Sequence, residues 1–77
     1  MYTITLKDNN CNDFTLTCEC DTRDDMIMNL TLIIKESTRL VKDGTLTVID
    51  HEDGLILREY QILNGEITRT IAQGDEQ

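Results

Sequence analysis

The sequence predicts an α+β fold, one helix packed on one face of a mostly antiparallel sheet, with its elements in the order β-β-α-β-β-β. Three observations carry that reading. Apolar residues alternate with polar ones near both ends of the chain, the period-two signature of half-buried strands. At residues 22–42 the apolar period lengthens to that of a helix. Segments dense in turn formers separate the runs, the sharpest being Asn64-Gly65.

Residues 2–7 place Tyr2, Ile4 and Leu6 on one strand face. Residues 14–20 place Phe14, Leu16, Cys18 and Cys20 on one face and Thr15, Thr17 and Glu19 on the other. The polar stretch Asp8–Asp13 between them closes an antiparallel hairpin. Asp21 or Thr22 then caps a helix over 22–42, with Asp24 and Asp25 in the first turn, where carboxylates favour the helix dipole. Its predicted core stripe is Met26, Ile27, Leu30, Ile33, Ile34, Leu40 and Val41. Lys35, Arg39 and Lys42 load its second half with positive charge, and Gly44 is read as its stop. A meander follows: strand Thr45–Asp50, the turn His51–Gly54, strand Leu55–Leu63, the Asn64-Gly65 hairpin and a returning strand Glu66–Ala72. That hairpin sets Ile62 beside Ile67 and Tyr60 near Arg69. In element order alone the arrangement resembles a β-grasp.

Seventy-seven residues make one domain, assigned to 1–72, with 73–77 read as a disordered acidic tail. A chain this short builds a thin core, and with no Trp it must use Ile, Leu, Met and Val. Met1 leads directly into an alternating strand pattern, and the longest apolar stretch, Met26–Ile34, is too short to span a bilayer. Three cysteines, an odd number, point to free thiols in a reducing compartment, and the expected location is cytoplasmic.

Fifteen acidic residues against seven basic ones give a net charge of −8. Such a chain is repelled by nucleic-acid phosphates and anionic membranes, so neither is expected as a direct partner. The charge serves solubility, and it also suits a basic protein partner, such as a nucleic-acid-binding protein.

The motifs for chemistry are sparse. Asp8-x-Asn10-x-Asn12 with Glu19 matches ligand positions of a calcium loop, but Asp13 stands where that loop needs Gly, and the flanks are strands. Cys18-x-Cys20 puts two sulfurs on one strand face without the spacing of a zinc knuckle, so core packing is expected. Cys11 reads as an exposed thiol. His51 stands alone in an acidic turn, with no nucleophile–base pair suggested by spacing. No enzyme, cofactor, metal or catalytic residue is therefore assigned.

Two surface features stand out instead. The helix begins at the end of the sheet where strand two finishes, and strand three runs back to it. Asp21, Asp24, Asp25, Asp50, Glu52 and Asp53 are thus expected at one rim, and like charges gather at some energetic cost. Met28 and Leu32, one turn apart on the face away from the core, form a small apolar contact surface. The leading expectation is a non-enzymatic binding protein docking on a basic protein. In overall character, without a shared motif, it resembles the small acidic inhibitors encoded by phages and mobile elements, DNA mimics and anti-CRISPR proteins among them. The resemblance implies the cytoplasm of a host cell as the place of action. The alternative is an assembly module that forms a homodimer through a strand edge or the Met28/Leu32 face.

Overall fold

The computed structural model describes residues 1–10, 15–52 and 54–70. Its elements are β1 (Tyr2–Asp8), β2 (Thr15–Cys20), α1 (Arg23–Leu40), β3 (Gly44–Asp50), β4 (Leu55–Leu63) and β5 (Glu66–Thr70). The order is the one read from the sequence. Phe14, Cys11, Asp53 and the tail assigned to 73–77 lie outside the described residues.

The five strands form one sheet in the order β2-β1-β3-β4-β5, every neighbouring pair antiparallel. β2 and β3 both flank β1, so they run parallel to one another, and α1 carries the chain between them over one face. This is a split β-α-β crossover with β1 in the gap. The likeness to a β-grasp stops at element order, because the strand returning beside β1 is β3 and it is antiparallel.

The core lies between α1 and the facing side of the sheet. Ile4 and Leu6 of β1, Leu46 and Val48 of β3, and Tyr60 and Ile62 of β4 form its floor. Cys20 and, from above, Met26, Leu30 and Val41 complete it. The register aligns these residues in rows, with Leu6 opposite Leu16 and Leu46, and Ile4 opposite Cys18 and Val48. The opposite sheet face is rich in threonine. Thr5 stands between Thr17 and Thr47, and Lys7 between Thr15 and Thr45. Thr68 and Thr70 continue this face beyond Gln61 and Glu59. Threonine suits an uncovered sheet face, since its branched Cβ fits the pleat and its hydroxyl meets water.

Thr22 is the helix cap: its hydroxyl accepts the Asp25 N–H at 3.1 Å. The helix is shorter than expected and its buried stripe narrower. Ile27 and Leu40, assigned to the core, are 39% and 51% exposed. At about 100° per residue, the buried Met26, Leu30 and Ser37 define a line that leaves Ile27 and Leu40 on opposite shoulders. Ser37 occupies the centre of the stripe and satisfies its hydroxyl on the Ile34 carbonyl at 2.9 Å.

Gly44 does not stop the helix. The chain leaves α1 through Val41 in an extended conformation (φ −131°), its N–H still bonded to the Ser37 carbonyl. Gly44 is instead the first residue of β3, opposite Asp8. A Cβ there would collide with the Lys7 carbonyl oxygen and a Val41 methyl.

β4 contains an irregularity that simple alternation misses. Val48 pairs with Arg58 but Ile49 pairs with Ile56, so Leu57 is an extra residue. Such a bulge turns two successive side chains toward one face. Leu57 packs against the core beside Arg58, whose buried Nε has no hydrogen-bond partner among the described residues. At the last hairpin, Asn64 (φ 57°) and Gly65 (φ 80°) take the left-handed conformations of a type I′ turn. Ile62 faces Ile67 and Tyr60 faces Arg69, as expected.

Candidate docking surface

Strand direction decides which charges meet. Tyr2 is opposite Cys20 on one side and Asp50 on the other. The start of β1, the ends of β2 and β3 and the start of α1 therefore share one end of the molecule. Asp21, Asp24, Asp25, Asp50 and Glu52 lie there, as the sequence reading required; Asp53 lies outside the described residues. Asp21, Asp24, Asp25 and Glu52 are exposed, and Asp50 is half-buried.

Local hydrogen bonds fix this end. Asp50 Oδ1 accepts the Glu52 N–H at 3.0 Å, and its carbonyl accepts the Gly54 N–H at 2.8 Å. The His51 N–H donates to the Met1 carbonyl at 3.0 Å, and its Nε2 shares a short hydrogen bond with the Thr3 hydroxyl. Asn29 Nδ2 donates to the Asp25 carbonyl at 2.8 Å. The acids thus ride on a braced turn and a capped helix, with Arg23 the cationic side chain of the helix start. Lys35, Arg39 and Lys42 lie in the second half of α1 and the link after it, where Glu36 and Asp43 also stand.

Among the described residues the groups considered for metal chemistry do not converge. Glu19 faces Thr3, whereas Asp8 lies five residues further along β1, a separation of about 17 Å. Asp8 is engaged locally, accepting the Asn10 N–H at 2.8 Å. Among the described residues no group of three His, Cys, Asp or Glu side chains is placed to hold a metal ion. Cys20 is buried and Cys18 half-buried, both free thiols, with their sulfurs 3.9 Å apart. Burial, and then the neighbouring Cys18, push the Cys20 thiol pKa upward, away from the reactive thiolate. Among the described residues no helix is long and apolar enough to cross a membrane.

Met28 and Leu32 are 60% and 57% exposed, as read from the sequence. Leu32 joins Leu16, Ile33, Glu36 and Leu40 around an open groove of about 210 Å³ between α1 and β2. Met28 is not part of that lining.

A residue that sequence reasoning overlooked organises the opposite end. Asp43 Oδ1 accepts the Asn64 N–H at 3.0 Å, Oδ2 accepts Asn10 Nδ2 at 3.3 Å, and its carbonyl accepts the Asn9 N–H at 2.9 Å. One side chain thus ties the α1–β3 link to two hairpins. The bonds from Asn64 and Asn10 hold its carboxyl below the usual pKa. A folded pKa below the unfolded one means that the stabilisation is present above the unfolded value and fades as pH falls through the folded one. Asp43→Ala should therefore lower the melting midpoint at neutral pH. Its deficit against the parent should shrink progressively below about pH 4, the range in which a free aspartate protonates; parallel thermal melts from pH 7 to acid would show this. A deficit that stays constant with pH would mean that the carboxylate bonds contribute nothing.

Compared with models of protein families, with curated proteins and with solved structures, the chain matches none.

Proposed function

We propose that this chain is a non-enzymatic binding protein that docks through its acidic end on a basic surface of another protein, such as the groove with which a nucleic-acid-binding protein holds phosphates. The observation that supports this most directly is the gathering of Asp21, Asp24, Asp25, Asp50 and Glu52 at one end by strand direction. Like charges at one rim repel, although Asp24 and Asp25 each favour the helix dipole and Asp50 braces its own turn. Oriented acids of this kind steer a cationic partner and suppress contact with anionic ones. An inhibitor that occupies such a groove is the corresponding mode of action.

The test compares two charge-neutralised proteins. In the first, Asp21, Asp24, Asp25 and Asp50 become Asn and Glu52 becomes Gln. In the second, Glu36, Glu59 and Glu66 become Gln, removing charge from elsewhere. The immobilised parent chain should retain basic proteins from lysate and release them at about 0.5 M salt, where exposed charges are strongly screened. The first variant should retain none of them, and the second should behave nearly as the parent. Retention by the first variant, or retention indifferent to salt, would overturn the reading.

A further inference from the structure

We propose that the free edge of β2 and the adjoining flank of α1 form one self-complementary surface, occupied by a second copy of this chain in an antiparallel two-fold dimer. The proposal is independent of acidic docking, since it uses a side of the molecule and not its end.

Among the described residues β2 ends the sheet on one side, so it carries a row of backbone groups not used by β1. It reads Thr-Leu-Thr-Cys-Glu-Cys, with no Pro and no Lys; its one charge, Glu19, is on the face away from the helix, and its described pairing with β1 shows no bulge. Those are devices by which edges are blunted. The other edge, β5, carries Arg69 on the side facing the core and Glu66 at its start.

Strand pairing to a copy must keep apolar faces together, because a shift of one residue inverts every side chain. Two antiparallel copies of β2 meet this condition whenever a residue faces itself. With Thr17 or Cys18 on the two-fold axis, Leu16, Cys18 and Cys20 all remain on the helix side. The symmetry of the pairing thus supplies the correct register without further specification.

The helix position decides the rest. α1 contacts β1 and β2 alike and, less, β5 at the other edge of the sheet, so it is the part of α1 over β1 and β2 that flanks the β2 edge. Joining two copies at β2 would then set those parts of the two helices about two strand spacings apart, roughly 9–10 Å. Packed helices stand about 8–10 Å apart. Edge pairing and helix packing are satisfied together.

The flank brought to the axis is the one that lines the groove: Leu16, Leu32, Ile33, Glu36 and Leu40. Leu32 and Leu40 are 57% and 51% exposed in the single chain. Glu36, the charged side chain among the described lining residues, already pairs with Arg39 of its own helix at 3.1 Å. Antiparallel helices also set the acidic first turn of one, with Asp24 and Asp25, beside the basic last turn of the other, with Arg39. Both the side-chain charges and the helix dipoles are then opposed favourably. Met28 lies nine residues before the buried Ser37, about half a revolution round the helix. It therefore points up from the sheet and stays outside the interface.

Sedimentation or light scattering on the full chain, from about 1 µM to several hundred µM, spans the affinities that such a surface would give. The parent should reach a particle of twice the 8.8 kDa chain mass. Leu32→Glu and Leu40→Glu should each weaken the dimer by about tenfold or more, the effect of about 1.4 kcal/mol, while Met28→Glu dimerises as the parent does. Circular dichroism of the variants, all at exposed positions, verifies the fold. In the dimer, amide exchange along Thr15–Cys20 should slow relative to the dilute monomer. A strict monomer at the highest concentration would overturn the proposal and leave the edge for an extended segment of another protein. So would a dimer untouched by the Leu32 and Leu40 changes, or one with unprotected β2 amides.

Discussion

Gly44→Ala should destabilise the fold by about 3 kcal/mol or more, the upper range for forcing atoms into a packed interior. A domain of this size is stable by only about 4–12 kcal/mol, so the loss is a large fraction of the total. The added methyl would meet the Lys7 carbonyl oxygen, which is backbone in the neighbouring strand and cannot swing aside. Relief requires β1 and β3 to separate where their pairing begins, at Asp8 and Gly44. Gly65→Ala offers the contrast. Its Cβ would meet nothing within 4 Å, but its φ is +80°. That change should cost about 1–2 kcal/mol, the penalty for an ordinary residue in the left-handed region. Urea unfolding of the two variants separates steric from conformational need, and an equal loss would refute the close approach at Gly44.

The contrast also shows what a sequence can disclose. Asn64-Gly65 was readable because both φ requirements are local and one dipeptide answers them. Gly44 was misread as a helix stop, since its true constraint is a carbonyl thirty-seven positions earlier in the chain. Asp43 escaped notice for the same reason: its partners, Asn10 and Asn64, come from two distant turns. The bulge in β4 did leave a mark. Leu55-Ile56-Leu57 breaks the alternation that Tyr60 and Ile62 establish, and extrapolating it back from Ile62 places Arg58 on the core side. The bulge adds Leu57 to that side and supplies the apolar group the core needs there.

The acidic end was legible for a different reason. Once two hairpin-like runs, a helix and a third strand are assigned, their directions alternate by necessity. The ends of β2 and β3 then fall together with the start of α1, with no side-chain detail required. The groove beside β2 was not legible. It depends on the lateral position of α1 over the sheet, which periodicity does not encode. A helix centred over β1 and β3 would have left the same Leu32 and Leu40 without a strand edge beside them.

That lateral and rotational placement is open to a direct test in the core. Leu30→Ala should lose about 2–5 kcal/mol, the range for a leucine deleted from a packed interior. Leu30 is only 2% exposed and belongs to the same buried cluster as Ile4, Leu46 and Val48. Ile27→Ala, three residues away and equally apolar in sequence, should lose about 1 kcal/mol or less, since alanine's helix propensity offsets part of the modest burial lost. The sequence stripe gave both residues equal weight, and only the rotation of α1 distinguishes them. Leu32 and Leu40 make the same point from the solvent side, because rotating the helix to bury Ile27 more deeply would carry the groove flank up and away from β2. Denaturant midpoints that differ by several-fold more for Leu30 than for Ile27 therefore support the helix orientation on which the dimer surface depends. Equal losses at the two positions would require a rotated helix, and with it a different face toward any second copy.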